Sequence, residues 1–289
     1  MQQIILSHPT LSASQIATFI ETNHKLGNPD LVFTEIASAA VPAYVANVEQ
    51  VDISAMRAAG KSVGLDIAIA SAGRSIKDFK LAAFDMDSTL ITIECIDEIA
   101  DYIGKKAEVA AITEAAMRGE ITDYQESLRR RVTLLKGLPV EALQKVYDQR
   151  LRLTDGAEKL IEFLQLSGLK VLLVSGGFTF FTEKLKVLLK LDFAKSNELE
   201  VVDGKLTGEL VGNIVDAEEK RQTVLATCEA LGISADQVIA VGDGANDLKM
   251  MSVAGMSVAF HAKPIVQEHA SDAINFGGLD TIIAWLQKS

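Results

Sequence analysis

The sequence predicts an α/β protein: a doubly wound, Rossmann-like parallel sheet carrying a helical insertion, preceded by a small α+β unit. Three observations point to it. Short continuous apolar runs at residues 81–84, 170–174 and 238–241 each end in a cluster of small polar residues. Runs without polar alternation read as strands buried on both faces, as in parallel sheets covered by helices. Residues 94–152 carry helical periodicity with no strong strand, and residues 1–75 follow a pattern of their own.

In that first part, residues 3–6 read as a strand. Ser12 or Ser14 can cap a helix over residues 15–24. Residues 31–36 and 43–48 read as strands separated by small residues and Pro42, residues 52–60 as a short helix with Asp52 near its cap, and 65–70 as a last strand. The order β-α-β-β-α-β is that of a ferredoxin-like sandwich. Residues 71–75 (SAGRS) read as a linker. The expected division is therefore 1–75 and 76–289. Within the second part, 76–93 and 153–289 form the core and 94–152 a helical cap. Residues 257–259 are a fourth core strand. Residues 198–208 alternate around Asp203-Gly204, a hairpin signal.

The 289 residues, 48% apolar and 23% charged, suit a globular chain and exclude global disorder. A net charge of −11 argues against nucleic-acid and anionic-membrane partners, and it requires any phosphate site to create its own positive potential. Cys95 and Cys228 stand apart and outside any CxxC pattern, as reduced thiols do. The four histidines form no HExxH pattern. No basic stretch precedes an apolar run near Met1, and the low-charge stretch 36–48 is too short to span a bilayer and contains Pro42, so a cytoplasmic protein is expected.

Ligands of open α/β sheets bind outside the carboxyl ends of the strands, where all three polar clusters fall. The first cluster holds Asp85-Met86-Asp87-Ser88-Thr89. Two such carboxylates can divide nucleophilic attack and proton transfer, and oxygen ligands this close favour Mg²⁺. A bare DxD would more often be a solvated turn capping a helix. The second cluster, Ser175-Gly176-Gly177, offers a hydroxyl and backbone N–H groups at a helix start for phosphate oxygens. Lys220, within DAEEKR, reads either as surface charge or as the cation that offsets Asp85 and Asp87. In Gly242-Asp243-Gly244-Ala245-Asn246-Asp247, glycines permit close backbone approach and Asp243 is a metal carboxylate. Asp247 and Asn246 could equally cap the next helix.

Together and in this order, the four motifs resemble the haloacid dehalogenase superfamily of phosphohydrolases over residues 80–275. Asp-Ser-Thr with a glutamate soon after is similar to its phosphoserine phosphatase group. The resemblance implies Asp85 as nucleophile and Asp87 as general acid and base. It implies Mg²⁺ on Asp85, Asp87 (through its backbone carbonyl) and Asp243, with Asp247 supporting nearby. Ser175, Gly176 and Lys220 would hold the phosphoryl group beside Asn246. In the cap, Glu94 matches the residue facing the substrate ammonium and Arg131 the one gripping its carboxylate. Arg130 stays open as the alternative, because three arginines adjoin. Met117 and Tyr124 match apolar positions closing the pocket, where such families often carry Phe in place of Tyr124. A lone carboxylate favourable to a helix dipole would also account for Glu94. The implied substrate is O-phosphoserine and the implied place the last step of serine biosynthesis.

Another small phosphorylated metabolite, such as phosphoglycolate, or phosphotransfer to an alcohol would use the same core. Glu94 argues against a purely anionic substrate. A non-catalytic sensor is opposed by the complete set Asp85, Asp87, Lys220 and Asp243. Residues 1–75 would serve regulation or, equally, pairing of two copies into a homodimer.

Overall fold

The computed structural model describes residues 2–286 except 26–30, 37–39, 50, 72, 118, 119 and 122, together with the side chains of 116 and 117. The chain opens with β1 (Gln2–Ser7), α1 (Ala13–Lys25), β2 (Thr34–Glu35), β3 (Ala43–Val48), α2 (Ile53–Ser62) and β4 (Asp66–Ser71). The strands lie in the order β2-β3-β1-β4, each antiparallel to its neighbour. This is the arrangement a split β-α-β unit produces. Asp52 caps α2 by accepting the Ala55 N–H at 3.0 Å. The expected strand 31–36 shrinks to Thr34–Glu35, whose side chains are both exposed, leaving little burial to extend the pairing.

The second part runs β5 (Leu81–Phe84), α3 (Cys95–Tyr102), α4 (Lys106–Met117), α5 (Tyr124–Thr133), α6 (Glu141–Gln149), α7 (Ala157–Leu166), β6 (Lys170–Phe178) and α8 (Thr179–Leu188). It continues with β7 (Phe193–Val202), β8 (Lys205–Val211), α9 (Ala217–Leu231), β9 (Val238–Gly242), α10 (Leu248–Met251), β10 (Met256–Phe260), α11 (Pro264–His269), β11 (Asp272–Ile274) and α12 (Thr281–Leu286). Strands β11-β10-β9-β5-β6-β7 are parallel, and β8 returns antiparallel to β7. Every residue of β5, β9 and β10 is buried, the condition for strands lacking polar alternation.

From β5 the chain winds to β6 and β7 on one side, then returns to β9, β10 and β11 on the other. The reversal lies between β5 and β9, whose carboxyl ends adjoin: Phe84 pairs with Val241, and the Asp85 N–H donates to the Val241 carbonyl at 3.0 Å. A doubly wound sheet opens its binding crevice at such a point.

Helices α3 to α6 form the cap over that edge. The β7–β8 hairpin braces it from the side. Its turn, Asp203-Gly204, has φ of 50° and 73°, as a two-residue primed turn requires. Gly137 and Val140 donate backbone bonds to Leu206 and Gly204 at 2.8 and 3.0 Å.

The two parts share one sheet, since β4 pairs antiparallel with β11. The short strand β11 was not legible in the sequence. Buried Asp66 accepts the N–H groups of Asn275, Phe276 and Gly277 at 2.6, 3.1 and 2.7 Å. Residues 73–75, read as linker, are tied in as well. Arg74 pairs with buried Asp272 at 2.9 Å, and Ser75 caps the turn that follows. Trp285 donates to Ser7 Oγ at 3.0 Å. Among the described residues, no helix is long and apolar enough to cross a membrane.

Candidate active site

Asp85 immediately follows β5, and the chain then turns tightly through residues 86–90 with Ser88 at φ 55°. This left-handed residue turns the chain back on itself, so that Ser88 Oγ reaches Glu94 Oε1 at 2.7 Å. Thr89 Oγ1 donates to Asp243 Oδ1 at 3.2 Å, joining the loops after β5 and β9. The Asp87 carboxylate accepts the Cys95 N–H at 3.2 Å, at the start of the cap.

Lys220 stands in the first turn of α9. Asp216 caps that helix, accepting the N–H groups of Glu218 and Glu219 at 3.0 Å each. Lys220 is fully buried and bridges Asp85 Oδ1 at 2.6 Å and Asp247 Oδ1 at 2.7 Å. Burial works against its ammonium, and the Asp247 and Asp85 charges overcome that, holding its pKa above the ordinary lysine value. The reading of DAEEKR as a surface run is thereby excluded for this residue. Asp247 makes no side-chain cap bond to α10; its other carboxylate oxygen accepts the Gly244 N–H at 3.1 Å and closes the short turn 245–247.

Burial also pushes Asp85 well above the carboxylate range; the Asp247 charge adds to this and Lys220 opposes it. Asp243 rises to about 6 through burial and the Asp247 charge. Ligand atoms of Asp85, Asp243 and Asp247 lie within 4.8 Å of one another. Three carboxylates so close, with one lysine among them, are an all-oxygen donor set suited to a hard divalent cation. The Asp87 carboxylate is outside this set. Burial and the Glu94 charge raise it to about 7, near the value an acid–base group needs.

The expected helix start at Ser175 is corrected: β6 continues to Phe178, and its pairing with β7 shifts register between Val174 and Phe178. The irregular stretch frees the backbone from the ladder. Ser175 Oγ accepts the Gly177 N–H at 2.8 Å, and buried Asn197 holds the Gly176 carbonyl at 2.7 Å and the Val215 N–H at 2.7 Å. A Cβ on Gly177 would stand 2.5 Å from Met86 Cε and 2.9 Å from Asp87 Oδ2, so a larger residue there would push on the Asp87 carboxylate.

These groups meet in one cavity of about 420 Å³ between core and cap. Asp85, Asp87, Glu94, Tyr124, Arg131, Ser175, Gly176, Asp243 and Asn246 all line it; Lys220 sits behind Asp85. Met117 ends α4, but its side chain lies outside the described residues. Glu94 is at the N-cap of α3 yet makes no side-chain cap bond, so its carboxylate serves the cavity rather than the helix end. Arg131 faces the cavity, whereas Arg130 pairs with Glu126 at 2.7 Å on the exposed side of α5. Helical geometry separates them, since adjacent residues point about 100° apart. The Tyr124 hydroxyl hangs over Gly176, where an added Cβ would strike it. Gln125, next along α5, donates to Asp216 at 2.8 Å and ties the cap to the helix that carries Lys220.

Sequence reasoning missed Asn197, whose role depends on contacts distant in the chain. It also missed Lys263, which lines the cavity; its signal was the place just beyond the fourth core strand, before Pro264.

The family model for haloacid dehalogenase-like hydrolases matches residues 79–255. The chain belongs to that family. Among relatives of this hydrolase, a phosphoserine phosphatase of Polaromonas sp. is 60% identical over 226 residues, 77% of this chain and 96% of the relative. One of Streptomyces coelicolor is 41% identical over 96% of this chain and 68% of its own length. Among solved structures, a HAD family hydrolase of Salmonella enterica aligns with TM-score 0.89 at 31% identity, covering 99% of both chains. A probable phosphoserine phosphatase of Vibrio cholerae aligns with TM-score 0.83 at 36% identity, covering 99% of this hydrolase and 86% of that chain.

Proposed function

We propose that this hydrolase is a Mg²⁺-dependent phosphoserine phosphatase, converting O-phospho-L-serine to L-serine and phosphate in the cytoplasm, as the last step of serine biosynthesis. One observation carries the substrate: Glu94 and Arg131 reach from the cap into the cavity that holds Asp85, Asp87 and Ser175. A zwitterionic substrate needs one anion for its ammonium and one forked cation for its carboxylate. The relatives named phosphoserine phosphatase support the same reading.

Asp85 attacks phosphorus with the oxygen that Lys220 does not hold, forming the aspartyl-phosphate as the bond to the serine oxygen breaks. Asp87 gives its proton to that oxygen. It then takes one from the water that attacks the aspartyl-phosphate, releasing phosphate and restoring Asp85. Ser175, the Gly176 backbone and Lys220 hold the equatorial oxygens, with Asn246 alongside. Mg²⁺ would be held by Asp85, Asp243 and the Asp87 carbonyl beside Asp247, and would supply charge neutralisation at the phosphoryl group. The cap, latched by Gln125 to Asp216, excludes water from the first step.

Phosphate release from O-phospho-L-serine, phosphoglycolate and p-nitrophenyl phosphate, with Mg²⁺ and with EDTA, tests this. Fast release that EDTA removes and that favours phosphoserine is the expected result. Equal rates on all three esters would defeat the substrate assignment. Glu94→Gln and Arg131→Ala should each lower kcat/KM for phosphoserine about a hundredfold, the size of a lost charge-assisted contact, and barely alter aryl phosphate hydrolysis. Equal losses on both substrates would remove these roles.

Asp87→Asn should separate the two steps. Serine is a poor leaving group and needs the proton, so phosphorylation of Asp85 by phosphoserine should stop. p-Nitrophenolate leaves unaided, so with the aryl ester Asp85 should become phosphorylated and stay so, since water then lacks its base. Acid-quenched phosphoenzyme reports this. Normal turnover of either ester would contradict it.

The first 71 residues have an apolar cluster of their own around Ile4, Phe19 and Met56. We take residues 1–75 as a unit, joined to the core through the β4–β11 pairing, for regulation or for pairing of two copies, which sedimentation of the full chain against a chain starting at residue 76 would distinguish.

A further inference from the structure

Among the described residues, four carboxylates line the cavity, Asp85, Asp87, Glu94 and Asp243, against two cations, Arg131 and Lys263. Lys220 adds no free charge, because Asp85 and Asp247 both hold it. The whole chain carries −11. A phosphomonoester is a dianion at its phosphate near neutral pH. Its approach is therefore opposed by the cavity and by the molecule around it, unless a free cation stands in its path.

Lys263 occupies that place. It caps α11 just past the carboxyl edge of β10, with Pro264 setting the first turn. Its N–H reaches the Asp243 carbonyl at 3.4 Å, so its backbone is fixed to the loop after β9. Its side chain is exposed and makes no ion pair among the described residues. Its field reaches across to Glu94, whose carboxyl burial raises and whose ionised form Ser88, Arg131 and Lys263 favour. Arg131 stands on the cap, and Lys263 on the core wall. Residue 263 also lies beyond the last residue that the family model matches.

We propose that Lys263 is a substrate-recruiting residue: a free cation on the core rim that draws in the phosphate of the incoming ester and offsets its charge until Ser175, Gly176 and Asp85 receive it. This rests on the phosphatase reading above. It differs from the roles of Glu94 and Arg131 in one respect. Lys263 acts on the phosphate end, so its effect is shared by every phosphomonoester.

The test compares Lys263→Ala, Lys263→Gln and Lys263→Arg with the parent, using phosphoserine and p-nitrophenyl phosphate at low and high ionic strength. In the Ala and Gln variants kcat/KM should fall about tenfold for both esters, carried by KM. Added salt should raise kcat/KM in these variants relative to the parent, because with the attraction gone salt screens only the repulsion. Arginine should restore both. A kcat/KM within twofold of the parent, a loss confined to phosphoserine or to kcat, or a failure of arginine to rescue would each overturn the assignment. A second measurement does not depend on turnover. Stabilisation against thermal unfolding by inorganic phosphate with Mg²⁺ should require about tenfold more phosphate in Lys263→Gln. Unchanged phosphate affinity would overturn the role of Lys263, whereas a parent that binds phosphate but cleaves neither ester would instead defeat the phosphatase reading.

Discussion

Asp85→Asn is expected to lower turnover of phosphoserine about 10⁴-fold or more, the scale on which removal of a covalent nucleophile is felt. The fold should survive. Asparagine has nearly the same shape and keeps an oxygen to accept the Lys220 ammonium, which stands 2.6 Å from Asp85 Oδ1. It also removes one of three crowded carboxylates, a group that burial and the Asp247 charge already disfavour in ionised form. The melting temperature should therefore hold or rise while phosphate release and the acid-stable phosphoenzyme both vanish. Residual turnover above a tenth of the parent would show that another group attacks phosphorus.

Lys220→Met should abolish activity and, unlike Asp85→Asn, damage stability. The ammonium is fully buried between two carboxylates, 2.6 and 2.7 Å away. Removing it leaves Asp85 and Asp247 facing one another without compensation. Breaking a buried pair in this way costs about 3–5 kcal/mol, read by denaturant unfolding. Two further measurements isolate the electrostatic cause. Adding Mg²⁺ should return part of the stability, because a cation at the acidic cluster replaces the missing charge. Combining Lys220→Met with Asp247→Asn should recover stability without activity, since the repulsion is relieved and the phosphoryl oxygens still lack their cation. If the double variant is as unstable as the single one, packing of the lysine stem rather than its charge is what holds this site.

The contrast between these residues shows where sequence reading stops. Asp85 was legible because it ends an apolar run, and a polar cluster at such an edge has few structural explanations. Lys220 stands among four other charged residues in 216–221, and nothing local separates it from Glu218 or Arg221. The capped first turn of α9 buries Lys220 and leaves the other charged side chains only partly buried. Arg130 and Arg131 pose the same problem: composition cannot choose between neighbours, whereas the 100° step of a helix does. Ser175-Gly176-Gly177 was found by residue type, but its setting was misplaced, because a register shift inside a strand depends on the partner strand. Asn197 and the β4–β11 seam carried no local signal.

By itself the sequence determined the parallel core, the helical insertion, the edge at which chemistry occurs and the residue types that gather there. These follow from short-range patterns: apolar runs, strand-end turns and helix periodicity, each written in consecutive residues. Only the tertiary structure decided that Lys220 is buried between Asp85 and Asp247, that Arg131 rather than Arg130 faces the cavity, that Glu94 bonds Ser88 instead of capping its helix, and that Lys263 stands at the rim. Each of those depends on groups brought together from distant parts of the chain, and charge, burial and hydrogen bonding act through space rather than along the sequence.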